Sequence, residues 1–198
     1  AAANRGVAEI DPAVEFVVVL HPDVEWTPGS IDELIAVARR HPRAGSVGPL
    51  IREPDGSVYP SARSVPDVVS GTGHALAGLV WKNNPWTAAY RHLDEEISER
   101  PVGWLSGSCL LLRRAAFDSV NGFDSRYFMY MEDVDLGDRL GRAGWLNVYV
   151  PDAGVVHTGG HATGRDQPTS ARMLAEHHRS AYRFLADRYR GRRWAPLR

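Results

Sequence analysis

The run of apolar, mostly β-branched residues from Val14 to Leu20 is the feature that most constrains how this chain can fold. Such a nearly continuous run is typical of a strand buried on both faces of an α/β sheet, because a strand with one solvated face alternates apolar and polar residues. The strand is predicted to end at His21-Pro22-Asp23, since proline cannot donate to a strand ladder. We therefore predict an α/β fold in which polar groups emerge at the end of this strand.

Signals for further helices and strands follow along the chain. Ser30 and Glu33 have the spacing of a capping box, which predicts Ser30 as the N-cap of a helix from Ile31 to Arg40. A strand over 44–51 is expected to turn at Asp55-Gly56 into a hairpin. The remaining predicted elements are a long functional or mobile loop within 60–100, a strand over 102–113, a helix over 114–120, a helix over 132–143, short strands over 146–150 and 155–157, a Gly-rich loop over 159–168, and a helix over 170–190.

Composition excludes several classes of protein. The chain of 198 residues is long enough for one domain with an appended tail, and its net charge of −1 argues against a strongly basic nucleic-acid binder. Its one cysteine, Cys109, cannot form an intrachain disulfide or a cysteine-rich zinc site. The longest strongly apolar run, 16–20, is far shorter than the ~20 residues that cross a bilayer. We expect no membrane-spanning helix, no secretory signal and no nucleic-acid partner.

Two groups of carboxylates are candidates for chemistry. Asp23 follows a buried strand, where a carboxylate can hold a divalent cation against a diphosphate, although Pro22-Asp23 is also ordinary turn chemistry. Glu132, Asp133 and Asp135 open a predicted helix, and the helix dipole by itself accounts for one or two acids there. Asp135 has Arg139 as a partner four residues on, whereas the corresponding position for Asp133 is a glycine. Asp133 is therefore the freest of the three to act as a general base.

Four further positions have both a functional and a structural interpretation. His157 ends a short predicted strand and is a candidate metal ligand, but a single histidine is more often packed in a core. Trp104 lies beside small residues at a predicted strand start, where an indole face could pack on a sugar ring or simply fill the core. Arg63 and Arg165 lie in predicted loops and are candidate diphosphate contacts or ordinary surface ion-pairing residues.

The candidate residues belong to short motifs that follow one another in a particular order. In chain order the motifs are Asp23 after the apolar strand, Gly103-Trp104-Leu105-Ser106-Gly107, Gly122-Phe123-Asp124, Met131-Glu132-Asp133-Val134-Asp135-Leu136 with Arg139, and His157. This order resembles the family 2 inverting glycosyltransferases with the GT-A fold, and within them most closely the actinobacterial enzymes that add rhamnose to N-acetylglucosaminyl-diphosphoryl-polyprenol. The resemblance covers almost the whole chain, and its Glu-Asp-x-Asp-Leu-x-x-Arg element is the specific part.

The resemblance implies a role for each candidate residue. Asp133 corresponds to the catalytic base, and Asp23 and His157 to ligands of a divalent cation, Mn²⁺ or Mg²⁺. The predicted acceptor-binding residues are Trp104, Ser106, Gly107 and Glu132, and the predicted donor-binding residues are His21, Arg63 and Arg165. The family often has Asn or Asp where this chain has His21, so the sequence leaves open whether His21 contacts the nucleotide, the metal or neither.

The resemblance also implies an architecture and a substrate pair. It predicts a GT-A-like (Rossmann-like) mixed sheet flanked by helices, with a core over 1–168 that lacks its first strands, followed over 169–198 by a long amphipathic helix and a basic tail. The implied donor is dTDP-rhamnose and the implied acceptor is a lipid-linked N-acetylglucosaminyl diphosphate, used in cell-wall linker biosynthesis. We expect a cytoplasmic protein at the inner face of the plasma membrane, and the sequence leaves room for a homo-oligomer.

Other functions fit the same residues. The chain could transfer a different nucleotide sugar, act as a non-catalytic carbohydrate-binding module, or hydrolyse its ligand with Asp23, His157 and Asp133 around one metal ion. The basic tail, with Arg188, Arg190 and the arginines beyond them beside Trp194, could lie on anionic lipid at about 1 kcal/mol per basic residue or could be a solvated tail.

Overall fold

The structure, a computed structural model, describes residues 2–66, 97–158 and 167–190. The helices in this part of the chain are α1 (Ala2–Glu9), α2 (Ser30–Arg40), α3 (Arg114–Ser119), α4 (Glu132–Arg142) and α5 (Gln167–Arg188). The strands are β1 (Phe16–Leu20), β2 (Val24–Trp26), β3 (Ala44–Arg52), β4 (Val58–Tyr59), β5 (Ala62–Arg63), β6 (Arg100–Val102), β7 (Trp104–Leu105), β8 (Cys109–Arg113) and β9 (Leu146–His157).

Seven of these strands form one mixed sheet. β1, β8, β3, β9 and β2 lie side by side in that order, while β4 pairs with β3 and β6 pairs with β9. The β3–β9 pair is parallel and the other pairs of this sheet are antiparallel. β5 and β7 form a separate antiparallel pair. The predicted α/β class with a mixed sheet is therefore confirmed.

Alternate residues of the central strands face two apolar clusters, one on each side of the sheet. Leu110 and Leu112 of β8 pack in a cluster with residues of α1, α3 and α4, whereas Leu111 packs in a second cluster with α2. Tyr149 and Val150 of β9 divide between the same two clusters. Because successive side chains of a strand point to opposite faces, the sheet is flanked by helices on both sides, as predicted.

The prediction that the first strand is buried on both faces is wrong. Only Val17 is buried in β1, and Leu20 is 41% exposed. The physical reason is position, because β1 pairs with β8 alone among the described strands and so lies at an edge of the sheet. A continuous apolar run indicates a strand, but it does not show how many neighbours the strand has.

The capping box predicted at Ser30 does not form, although the helix does. Gly29 is the N-cap, with φ of +82°, and Ser30 is the first helical residue. The Ser30 hydroxyl instead accepts a hydrogen bond from the Gly154 backbone N–H at 2.9 Å and lies 2.7 Å from the Thr27 hydroxyl. The Ser30 side chain, which local sequence predicted as the helix cap, therefore makes a long-range hydrogen bond to β9 instead.

Two predicted strand boundaries are also wrong. The single strand expected over 102–113 is broken into β6, β7 and β8, and the two short strands expected over 146–157 are one strand, β9. At Gly103, between β6 and β7, the chain passes so close to the backbone of residues 63–65 that a Cβ would lie 2.4 Å from the Val65 backbone nitrogen. In β9, an irregular register opposite Pro49 and Leu50 accommodates the residues that we predicted as a loop.

Other local predictions are confirmed. The hairpin after Asp55-Gly56 forms through the β3–β4 pair, and α3 and α4 lie where they were predicted. The ion pairs four residues apart on α4 also form, at 2.6 Å for Asp135–Arg139 and 3.7 Å for Asp138–Arg142. Most of the predicted long loop, residues 159–166 of the Gly-rich loop predicted over 159–168, and the tail from 191 onward lie outside the described residues.

The chain divides into two compact units. Of the described residues, 2–65, 97–126 and 132–158 belong to the first unit, and 66, 127–131 and 167–190 belong to the second. In the second unit the Ser180 hydroxyl donates to the Met129 carbonyl at 2.8 Å, and Phe184 is buried. None of the helices in the described part of the chain combines the length and hydrophobicity that crossing a membrane requires.

Candidate active site

The antiparallel pairing of β2 with β9 brings Asp23 and His157 together. Val24 lies directly opposite His157 in this pair, so Asp23 is placed beside the histidine ring. His157 Nε2 lies 3.2 Å from Asp23 Oδ1. The backbone N–H and the hydroxyl of Thr158 both donate to the Asp23 carbonyl at 2.9 Å, which fixes the backbone of the acid. The two predicted metal ligands are thus neighbours in the first unit.

His21 lies at the same place, at the end of β1. Its backbone N–H donates to the Ser108 carbonyl at 2.9 Å, and its ring centroid is 5.4 Å from that of His157. One ligand atom each from His21, Asp23 and His157 lies within 4.8 Å of the others. Two atoms bound to one ion at about 2.1 Å are roughly 3–4 Å apart, so this donor set fits a divalent metal ion with small side-chain adjustments.

Asp133 lies at the beginning of α4 and is held through both oxygens. The Gly107 backbone N–H donates to Oδ2 at 2.9 Å, and the Val134 backbone N–H donates to Oδ1 at 2.8 Å. Burial raises the pKa of the Asp133 carboxyl, while these hydrogen bonds and the Arg63 guanidinium oppose that rise. A carboxylate whose pKa is raised by burial and whose position is fixed has the properties of a general base.

The neighbouring Glu132 has a buried oxygen with no hydrogen-bond partner among the described residues. Its Oε2 makes no hydrogen bond to any described residue, and burial raises the pKa of its carboxyl. A buried polar atom without a partner is unusual in a folded protein and commonly indicates a position that a ligand or a water completes. Glu132 is therefore a candidate contact for the hydroxyl of a bound substrate.

The segment from Ser106 to Ser108 connects Asp133 with the histidine cluster. Gly107 donates to Asp133, and the carbonyl of the next residue, Ser108, accepts from His21. The ends of β1 and β9, the beginning of β8 and the beginning of α4 therefore meet around one short turn. The structure thereby brings the predicted base and the predicted metal ligands to the same end of the strands.

Trp104 and Arg63 lie on the β5–β7 pair and face each other. Trp104 is 9% exposed, its indole N–H donates to the Ser64 carbonyl at 3.0 Å, and the Arg63 guanidinium lies 5.7 Å from its ring centroid. The Arg63 Nε donates to the Pro60 carbonyl at 2.8 Å. Ser106 is buried, and its hydroxyl lies 3.1 Å from that of Ser108. Trp104 and Ser106 belong to the segment whose Gly107 bonds to Asp133, and Arg63 acts electrostatically on that carboxyl, whereas Arg165 lies outside the described residues.

Asn147 supports this arrangement and was not singled out from the sequence. Its buried side-chain amide donates to the carbonyls of Gly103 and Gly137 at 2.8 and 3.0 Å and accepts from the Ser46 hydroxyl at 2.7 Å. It thereby joins the segment that carries Trp104 to the helix that carries Asp133. An asparagine within the apolar stretch from Leu146 to Val150 was the available signal, because a polar residue in a buried strand needs partners.

Cys109, at the beginning of β8, does not add a nucleophile to the site. The residue is 1% exposed, and burial raises the pKa of its thiol to about 12. The thiol therefore stays protonated at neutral pH, and its role is to pack with Ile51 and Val155.

Comparisons with known proteins agree on a family. The model of the glycosyltransferase-like family 2 matches residues 2–183. The chain is 60% identical, over its whole length, to the N-acetylglucosaminyl-diphospho-decaprenol L-rhamnosyltransferase of Mycobacterium tuberculosis, and it is 29% identical over 87% of its length to the rhamnosyltransferase WbbL of Escherichia coli K12. It spans 66% of the length of the first relative and 62% of the second.

A solved structure supports the same fold at low sequence similarity. The crystal structure of GalNAc-T7 with UDP, GalNAc and Mn²⁺ matches 84% of the chain with a TM-score of 0.56 and 16% identity, and the match covers 31% of that protein's chain. At this identity the likeness concerns the fold alone. It agrees with the GT-A-like arrangement of mixed sheet and flanking helices.

Proposed function

The chain belongs to the glycosyltransferase-like family 2, and from that premise we propose that it is part of an inverting, metal-dependent transferase. The proposed reaction moves L-rhamnose from dTDP-rhamnose to a lipid-linked N-acetylglucosaminyl diphosphate in cell-wall linker biosynthesis. The identity of 60% across the whole chain to a mycobacterial L-rhamnosyltransferase that is named for this acceptor supports the choice of both substrates.

The observation that carries the proposal is the environment of Asp133. Its two oxygens are each held by a backbone N–H, and burial raises the pKa of its carboxyl. In the proposed step, Asp133 takes the proton of an acceptor hydroxyl while that oxygen forms a bond to the anomeric carbon. The bond from this carbon to the diphosphate oxygen breaks, and the nucleoside diphosphate leaves. One displacement inverts the anomeric configuration and requires no second carboxylate as nucleophile.

Asp23 and His157 are proposed to hold a divalent cation, Mn²⁺ or Mg²⁺. Their ligand atoms lie 3.2 Å apart at the end of β9, and they come from the same unit as Asp133. A cation held there would offset the negative charge that develops on the departing diphosphate. Arg63 and Arg165 are proposed to contact the same diphosphate, because guanidinium groups match phosphate oxygens in geometry and charge.

The acceptor is proposed to bind beside Glu132, Gly107, Ser106 and Trp104. Glu132 offers a buried Oε2 that no group in the described part of the chain bonds to, and a sugar hydroxyl could donate a hydrogen bond to it. Trp104 and Ser106 are buried, so we propose that they shape the wall of the pocket behind Gly107. Because the proposed acceptor is lipid-linked, we propose that the reaction takes place at the membrane, at the inner face of the plasma membrane.

The test is the release of nucleoside diphosphate from dTDP-rhamnose, measured with and without a synthetic N-acetylglucosaminyl-diphosphoryl-lipid and with and without Mn²⁺ or Mg²⁺. We expect release that requires both the acceptor and a cation, together with a rhamnosylated lipid. Release without acceptor would indicate a hydrolase instead, and no release with any nucleotide sugar would indicate a binding module. A panel of other nucleotide sugars as donors identifies a transferase of the same fold for another sugar.

A further inference from the structure

His21 directly follows the last residue of β1 and lies next to Asp23 and His157. The hydrogen bond from its backbone N–H to the Ser108 carbonyl fixes where its side chain starts. The side chain itself is exposed, so it is not a packed core histidine. Its ring nevertheless lies 5.4 Å, between centroids, from the His157 ring, at an angle of 57°. The two imidazoles therefore adjoin the same space beside Asp23.

We propose that His21 is a third protein ligand of the metal ion, and that the resulting site of two imidazoles and one carboxylate prefers divalent transition metals to Mg²⁺. The inference rests on the proposed function in taking this cluster as the site of the transferase's cation. Independent support for the role of His21 comes from the geometry of the cluster. One ligand atom each of His21, Asp23 and His157 lies within 4.8 Å of the others.

The composition of the donor set determines the preference. Mg²⁺ is a hard cation that favours oxygen ligands and retains water, so two nitrogen ligands give it little advantage. Imidazole nitrogens bind first-row transition metals more strongly, in an order that rises from Mn²⁺ toward Cu²⁺. Three protein ligands also leave coordination positions open, as in catalytic metal sites generally, and diphosphate oxygens can occupy them.

The test uses Mn²⁺ as the probe on the whole chain without any substrate. Titration followed by electron paramagnetic resonance gives the Mn²⁺ affinity, and electron spin-echo envelope modulation detects the imidazole nitrogens coupled to the bound ion. We expect two coupled nitrogens in the unsubstituted protein and one in His21→Asn. Loss of an outer-shell partner alone weakens metal binding by roughly 10–100-fold, so the loss of a ligand should weaken Mn²⁺ binding at least about tenfold.

Competition with Mg²⁺ tests the selectivity. In His21→Asn the Mg²⁺ affinity should change less than the Mn²⁺ affinity. The ratio of Mn²⁺ affinity to Mg²⁺ affinity should therefore be smaller than in the unsubstituted protein. His178→Asn is the matched control, since His178 is an exposed histidine of α5 outside the cluster. It should leave both the affinity and the nitrogen signals unchanged. Far-ultraviolet circular dichroism and a melting curve show whether each variant is folded, and His21→Ala provides a second substitution.

The outcomes separate this inference from the proposed function. One coupled nitrogen in the unsubstituted protein, or unchanged Mn²⁺ affinity and nitrogen signals in a folded His21→Asn, would overturn the role of His21 and leave the transferase proposal standing. Two coupled nitrogens in a protein that transfers no sugar would support the metal site and count against the transferase.

Discussion

The backbone N–H of Gly107 donates a hydrogen bond of 2.9 Å to Oδ2 of Asp133. This bond joins the turn that follows β7 to the first residues of α4, and it orients the carboxylate without using another side chain. A Cβ at position 107 would lie 3.4 Å from the Asp133 Cβ and 3.6 Å from Oδ2. A Cβ at these distances would touch the Asp133 side chain, so glycine leaves free a space beside the carboxylate that its backbone holds.

Replacing Asp133 with asparagine is expected to abolish sugar transfer while leaving the metal cluster intact. The amide has nearly the same shape but cannot accept the proton of the acceptor hydroxyl, so kcat should fall by roughly 10²–10⁴-fold. Mn²⁺ binding should persist, because the proposed ligands lie at the ends of strands and not on α4. Steady-state kinetics and Mn²⁺ titration measure the two effects. Asp152→Asn, at an exposed carboxylate of β9, is the control and should retain activity; loss of Mn²⁺ binding in folded Asp133→Asn would contradict the assigned role.

Removing the charge of Arg63 is expected to shift the acidic limb of the pH–rate profile to higher pH. Burial raises the pKa of Asp133 and the Arg63 guanidinium lowers it, so without that cation the carboxyl holds its proton up to a higher pH. The base is active only when ionised, and kcat/KM for Arg63→Gln should therefore begin to rise at higher pH than in the unsubstituted protein. Arg63→Lys keeps the positive charge, so the acidic limb of its pH–rate profile should lie close to that of the unsubstituted protein. An unchanged limb in Arg63→Gln would show that the guanidinium does not influence the base.

Replacing Asn147 with leucine is expected to destabilise the fold and to lower kcat. The substitution removes the hydrogen bonds that the side-chain amide makes to the Gly103 and Gly137 carbonyls and to the Ser46 hydroxyl, and a buried group left unsatisfied costs about 1–3 kcal/mol. Denaturant unfolding measures the change in the free energy of unfolding. Ser46→Ala removes one bond of the same network and should cost roughly 0.5–1.5 kcal/mol. Equal stability of Asn147→Leu and the unsubstituted protein would mean that this network does not hold α4 in place.

Two glycines of α4 are expected to respond oppositely to alanine. At Gly137 a Cβ would lie 2.6 Å from the Trp104 Cβ and 2.9 Å from its Cα, atoms that no rotamer change can move away. Such overpacking costs about 1–3 kcal/mol, which exceeds the roughly 0.5–1 kcal/mol that alanine gains over glycine in a helix. At Gly141 nothing lies within 4 Å of a Cβ, so only the gain applies. Thermal or denaturant unfolding of both variants checks the sign, and a stabilised Gly137→Ala would contradict the close packing of α4 on Trp104.

Local sequence signals predicted α4 and its immediate surroundings well. The spacing of Asp135 with Arg139 and of Asp138 with Arg142 predicted ion pairs that form on the helix, because these interactions depend only on helical geometry. The turn at Asp55-Gly56 was also predictable, because a turn depends on residues that are neighbours in the sequence. The capping role of Ser30 was not, since its hydroxyl bonds to Gly154, a residue far away in the chain.

In the candidate site, too, some residues could be predicted from the sequence and others could be recognised only from the structure. Asp23, Asp133 and His157 were selected by residue type, motif order and resemblance to a family. The sequence left the role of His21 open and gave Asn147 no role. The roles proposed for both residues depend on neighbours that are distant in the sequence. His21 lies beside the His157 ring, and Asn147 bonds to the Gly103 and Gly137 carbonyls.

By itself, the sequence determined the α/β class, the local helices and turns, and which side chains are chemically able to bind a metal or accept a proton. Tertiary structure alone decided that β1 lies at an edge of the sheet among the described strands, that β9 is one strand, and that His21 shares a space with Asp23 and His157. The physical reason is range. Helix pairs and turns form between residues a few positions apart, whereas strand pairing and ligand clusters depend on which distant segments the sheet places side by side.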